Sequence, residues 1–313
     1  MKLRILTIAT TILVMSLSAF GQQRPITSTY AYNGLLLNPA YAGSLNVLSV
    51  IGVYRKQWIN VEGAPQLSAI SAHSSFMSNR IGAGFYLTDD KVGVTNDIAL
   101  YGSYAYKIKT KIGILAMGIQ GGFNQRKSDF TDGSIILLND DPLLSGIRSN
   151  FSPNFGTGVY FANPVFYAGA SIPYLVENKT TKDLADLIPT SDEISNESRY
   201  YYVTSGLILR LSDAIKISPS VLLRLQEQAR VEWDFAGHLI FDEIAYIGIN
   251  VRNTADVTLF GQVIMNENLR IGYAYDATTN GLKDGSAGSH EIMVNYRIKL
   301  KNYRKDPQCP VYF

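Results

Sequence analysis

Between Arg80 and Lys107 the chain alternates with a period of two. On a first arm Ile81, Ala83, Phe85 and Leu87 share one face, and Gly82, Gly84, Tyr86 and Thr88 share the other. On a second arm Ile98, Leu100, Gly102, Tyr104 and Tyr106 oppose Asp97, Ala99, Tyr101 and Ser103. Period two predicts two strands joined as a hairpin. One face is apolar and ends in tyrosine, while the other is small, glycine-rich and polar. A soluble sandwich turns the apolar face inward, whereas a membrane barrel turns it outward to lipid.

The same pattern recurs along the chain. It predicts about fourteen strands, near 46–56, 65–76, 80–89, 95–107, 112–125, 153–162, 165–173, 200–211, 214–225, 230–241, 245–253, 256–266, 269–277 and 288–300. Most are about 9 to 12 residues long, enough to cross an apolar layer of about 25 Å when tilted. Soluble strands average nearer 5 or 6 residues. In the last strand His290, Ile292, Val294, Tyr296 and Ile298 alternate with Glu291, Met293, Asn295, Arg297 and Lys299. A charged row of that kind is compatible with a water-facing lumen and not with lipid.

The connections sort by parity. Every second one is short: Met77 to Asn79, Ile108 to Lys111, Asn163-Pro164, Ser212-Asp213, Asp242 to Ile244 and Glu267-Asn268. The long ones, Arg126 to Ser152 and Tyr174 to Arg199, fall on the opposite side, together with the glycine-bearing stretch Thr278 to Ala287. Short turns at one rim and long loops at the other are the outer-membrane pattern.

The N-terminus adds the route to that membrane. Lys2 and Arg4 precede an apolar run from Ile5 to Leu17, and Ala19 and Gly21 stand at the −3 and −1 positions of a cleavage site. Residues 1–21 therefore read as an export signal. The expected organisation continues with a periplasmic or lumen-docked segment over 22–46, a barrel over 47–300 and a basic periplasmic tail over 301–313. No later segment is apolar over the 18 residues a membrane helix needs. Removing Lys2 and Arg4 leaves 26 basic against 26 acidic residues. That balance gives no support to a nucleic-acid partner. Cys309 is the single cysteine, which excludes an internal disulfide framework. The 20 tyrosines, with Trp58 and Trp233 near strand ends, suggest interfacial girdles.

Candidate chemistry is sparse. His73 lies among Ser71, Ser74 and Ser75, but no nucleophile motif surrounds it; His238 and His290 are the remaining histidines. Asp89-Asp90 and Asp140-Asp141 lack the spaced oxygen ligands of a dedicated Ca²⁺ site. Neither a metal nor another cofactor is expected. Glycines recur inside strands, at Gly82, Gly84, Gly113, Gly118, Gly121, Gly122, Gly156, Gly158 and Gly169. There they let a wall bend or make room in a lumen.

Several blocks together carry a family resemblance. They are Asn38-Pro39-Ala40-Tyr41-Ala42-Gly43, Tyr54-Arg55-Lys56-Gln57-Trp58, Gly63-Ala64-Pro65, His73, Gly82-x-Gly84 with Asp89 and Gly93, the closing His290-Glu291 and the tail Cys309-Pro310. The chain resembles the PorP/SprF family over most of its length, most densely from Asn38 to Gly93. The resemblance implies an outer-membrane, non-enzymatic component of the type IX secretion and gliding machinery of the Bacteroidetes lineage. It further implies outer-membrane lipid, secreted cargo or adhesins with C-terminal sorting domains, and a periplasmic ring containing a lipoprotein as partners. It supplies no catalytic residues. A small diffusion channel and a barrel hydrolase are the competing readings. An open lumen would favour the channel, and a plugged one an adaptor.

Overall fold

A computed structural model of the chain describes residues 26–131, 146–176, 199–227, 229–253, 256–278 and 285–300. Residues 1–25, Asp140-Asp141, much of the two longest connections and the tail with Cys309 lie outside the described residues.

The described residues form fourteen antiparallel strands closed into a barrel. They are β1 (Leu48–Lys56), β2 (Gln66–Phe76), β3 (Ile81–Val92), β4 (Thr95–Lys109), β5 (Ile114–Asp129), β6 (Ile147–Ala162), β7 (Phe166–Ile172), β8 (Tyr200–Leu207, continued by Leu209–Arg210), β9 (Ile215–Gln226), β10 (Glu232–Phe241), β11 (Ala245–Arg252), β12 (Asp256–Ile264), β13 (Leu269–Thr278) and β14 (Ser289–Ile298). Each strand pairs with its sequence neighbours. The barrel closes where β1 meets β14, from Leu48 opposite Ile298 to Lys56 opposite His290. Closure leaves no sheet edge in the wall, which is the condition for crossing lipid with strands.

The opening hairpin is β3 and β4, and its faces are oriented as the alternation suggested. Phe85, Leu87, Leu100 and Tyr104 lie on the outer surface, whereas Tyr86, Ala99, Tyr101 and Ser103 are buried inside. The outer apolar belt continues through Ile119, Phe155, Ile247, Leu259 and Ile292. Outward tyrosines stand near both ends of it, with Tyr54 and Tyr273 toward one rim and Tyr104, Tyr106 and Tyr296 toward the other. The connections 77–80, 110–113, 163–165, 211–214, 242–244 and 265–268 gather at one rim, three or four residues each. The connections that include residues 132–145 and 177–198 leave from the opposite rim.

Two differences from the expected boundaries have physical causes. β5 runs on to Asp129 and β6 begins at Ile147, so the connection between them is shorter than Arg126 to Ser152. In β5 both faces turn polar from Asn124 to Asp129, so alternation fades although the ladder persists, and Arg126 pairs there with Asp97 at 2.8 Å. The strand expected over 200–211 is interrupted at Ile208, whose N–H donates instead to Val165 O at 2.7 Å.

Candidate functional site

The lumen is the site, and it is full. Residues 26–45 enter the barrel and cross it as three single 3-10 turns, Tyr30–Tyr32, Gly34–Leu36 and Pro39–Tyr41, before β1 begins. Tyr30, Tyr32, Leu35, Ala40, Tyr41, Ala42 and Leu45 are all buried. Turns of three residues have little stability of their own, so this plug holds its shape through what it touches.

At the short-turn end the Asn38 to Gly43 block is seated on glycines of the wall. Asn38 caps the third turn by accepting from Ala40 N at 2.9 Å, and its amide donates to Val159 O at 2.9 Å. A Cβ at Gly82 would lie 1.9 Å from Ala42 O, one at Gly118 2.2 Å from Ala40 N, and one at Gly158 2.2 Å from Asn38 Oδ1. These three wall positions are therefore glycine because plug backbone or side chain occupies the space. Gly84 is similarly crowded by Ala72 O and the Leu35 side chain. Pro39 is buried inside the third turn. Gly43, at φ +65°, donates its N–H to His73 Nδ1 at 3.1 Å, and Tyr41 meets the His73 ring edge-on at 5.5 Å. Lys107 donates to Gly43 O and to Asn79 Oδ1. His73 is thus enclosed beneath the plug and holds backbone, with Ser71 turned to Asn33 Oδ1 at 2.9 Å. Midway, Tyr32 stacks on Phe260 at 4.7 Å and meets His238 edge-on at 5.5 Å.

At the long-loop end the plug is held by charge. Arg55 of β1 pairs with Asp276 of β13 at 2.6 Å and with Glu291 of β14 at 3.1 Å. Glu291 accepts from Ser28 N at 2.7 Å, from Thr29 N at 2.9 Å and from the Thr29 hydroxyl. Asp276 accepts from Ser28 Oγ at 2.8 Å and from Thr258 Oγ1 at 2.6 Å. Arg55, Asp276 and Glu291 are at most 3% exposed. Beside them Asp234 accepts from Tyr30 Oη at 3.0 Å and from Arg252 Nη2 at 2.9 Å. Buried charges survive where each is both paired and hydrogen-bonded, and here the plug's Ser28, Thr29 and Tyr30 complete the shell.

The structure thus brings together Arg55 and Glu291, far apart in sequence. Gln57, with its amide oxygen toward Arg55, accepts from Nε at 2.9 Å. Trp58 donates its N–H to Ser289 Oγ at 3.2 Å, beside the same group. Pro65 O accepts from Gln57 N at 2.9 Å, and Gly63, at φ +69°, accepts from Gly93 N at 2.9 Å, so this block ties two adjacent rim loops. Tyr54 and His290 face outward instead; His290 contacts Tyr273 and Tyr275 in an aromatic patch on the outer wall. Cys309 lies outside the described residues.

Two expectations about the interior need correcting. The charged row of β14 does not face water in an open lumen: Glu291, Asn295 and Arg297 are buried, because the plug takes the place of that water. Nor are the tyrosines chiefly girdle residues. Tyr86, Tyr101, Tyr160, Tyr167, Tyr200, Tyr202 and Tyr246 point inward and are buried with the plug's own. A tyrosine ring fills volume while its hydroxyl accepts a polar partner, which suits a packed polar lumen. Two cavities beside the plug measure about 90 Å³ and about 40 Å³, room for a few waters. Among the described residues no group of three or more His, Cys, Asp or Glu is arranged to hold a metal ion.

Comparison with known proteins gives three results. The family model described as "Type IX secretion system membrane protein PorP/SprF" matches residues 19–296. No curated protein matches the chain. Among solved structures, the outer membrane protein Omp33 of Acinetobacter baumannii is 8% identical, with a TM-score of 0.47, and the match covers 82% of this chain and all of that one. A Pseudomonas aeruginosa FadL homologue is 12% identical at a TM-score of 0.44, covering 88% of this chain and 95% of its own. The barrel architecture stands on the chain's own strand pairing rather than on these likenesses.

Proposed function

Because the chain belongs to the PorP/SprF family of type IX secretion system membrane proteins, we propose that this outer-membrane barrel supports secretion or cell-surface attachment of cargo proteins, adhesins among them, that carry C-terminal sorting domains. It acts without a catalytic step, as an adaptor. The observation that carries this reading is the filled lumen. A diffusion channel requires a continuous aqueous path, and here residues 26–45 occupy the interior and are fixed at both ends, by the glycine seat and by the Arg55 cluster. What remains for function is the two rims. The long-loop rim faces the outside and would meet cargo, while the short-turn rim faces the periplasm and would meet the ring containing a lipoprotein.

The test is an in-frame deletion in the native cell, followed by antibody labelling of intact cells for cargo with a C-terminal sorting domain. Loss of surface cargo, restored by the wild-type gene, is expected. Undiminished display of every such cargo would overturn the reading.

A further inference from the structure

The arginines inside the long-loop half of the lumen are paired: Arg55 with Asp276 and Glu291, Arg252 with Asp234, and Arg224 with Glu232. The short-turn half departs from this pattern. Arg297 of β14 is 8% exposed, its Nε donates to Asn295 Oδ1 at 3.0 Å, and it makes no ion pair among the described residues. Arg270 of β13 also makes none there, and its Nη1 is buried without a hydrogen-bond partner. Arg270 stands opposite Asn295 in the ladder, and Arg297 lies two residues further along the same inward face. The two are therefore diagonal neighbours, a relation that places residues about 7–8 Å apart, within reach of long side chains. Lys107 and Lys216 face inward at the same end, on Gly43 O and on Glu243 respectively. Glu243 is thus the carboxylate found on Lys216, and none is found on Arg270 or Arg297 among the described residues.

A desolvated guanidinium without a counter-charge is costly, and two side by side more so. We propose that the mouth of the barrel between β13 and β14 receives an acidic segment of a partner polypeptide, one carboxylate of which bridges Arg270 and Arg297. The planar fork of each guanidinium matches a carboxylate. Three features select a peptide arriving from the periplasm. Both arginines face the lumen, away from the lipid headgroups that ring the outer wall. The plug closes the approach from the long-loop side. The short-turn rim opens to the periplasm. The inference rests on the secretion reading for the identity of that compartment, and it adds the chemistry of the partner.

The experiment uses the full-length protein purified from outer membranes in mild detergent. Binding of a fluorescein-labelled poly-glutamate peptide is read by fluorescence anisotropy. The wild type should bind, more weakly as salt is raised, and poly-lysine should not bind. The double variant Arg270→Gln/Arg297→Gln should bind at least about tenfold more weakly. Lys299→Gln, which removes an exposed pair with Glu267, should stay within about twofold of wild type. Heat-modifiable migration on gels reports folding. If the double variant does not fold, Arg270→Gln alone, at the less buried position, carries the test. Unchanged affinity in a folded variant overturns the inference. So does a wild type that ignores poly-glutamate but takes up inorganic phosphate or vesicles of anionic phospholipid. If peptide binding fails while the gene is still needed for cargo display, this inference alone falls. If display survives deletion of the gene, the secretion reading falls instead.

Discussion

At the scale of single residues, the wall glycines and the buried arginine make opposite demands. Gly82 must have no side chain because Ala42 O occupies its Cβ position, whereas Gly52 faces open space. Gly82→Ala should therefore destabilise the barrel by about 1–3 kcal/mol through overpacking, and Gly52→Ala should leave it nearly unchanged. Urea unfolding of the two variants in micelles measures the difference, and equal midpoints would refute the seat. Arg55→Ala strands two buried carboxylates and should cost about 3–5 kcal/mol. The same unfolding assay checks it, and a loss below about 1 kcal/mol would show that the cluster is dispensable. Arg55 and Glu291 stood out in the sequence only as members of separate blocks. Their partnership was not legible there, since 236 positions separate them. Asp276, Ser28 and Thr29 carried no signal at all. What could have exposed Asp276 is register: once β1 is taken to close on β14, inward carboxylates at the same ends of β13 and β14 face the inward arginine of β1.

At the scale of elements, the strands were legible, whereas the plug was legible only as one of two places, periplasm or lumen, for residues 22–46. A strand of the wall must alternate strictly, because one face meets lipid throughout its crossing, and period two is visible without any knowledge of partners. Its ends are less visible, as at Asp129, where β5 has passed through Asn124 to Ser128 with no apolar face left to mark it. Residues 26–45 show no period because each of their turns answers a different patch of wall. The lipid face yields a prediction. Ile119 is 61% exposed and sits well inside β5, so Ile119→Arg should cost about 2–4 kcal/mol of barrel stability. Ile112, 74% exposed in the short turn 110–113, should accept the same change at about 0–1 kcal/mol. The fraction of each variant recovered as heat-modifiable barrel from outer membranes distinguishes them, and equal recovery would place Ile119 away from lipid.

At the scale of the whole molecule, the barrel is a closed wall with its own chain as filling. In planar bilayers the wild type should be electrically silent. Deletion of residues 26–45 should uncover a pore with stepwise conductance, since fourteen strands enclose more than their side chains alone can fill. Comparable steps from the wild type would mean that the plug leaves a path and would reopen the channel reading. The fold class followed from the sequence because lipid imposes the same rule on every strand. The state of the lumen did not, because filling depends on contacts between distant residues.

The clamp on Ser28 and Thr29 also ties the two ends of the barrel chain to each other. It joins residues among the first of the barrel chain to be synthesised to Glu291, 263 positions after Ser28 and in the final strand. Arg55 of the first strand completes it across the β1–β14 seam. The clamp is complete only when residues 28–29 are seated and β1 and β14 are paired, so seating the plug and shutting the seam reinforce one another.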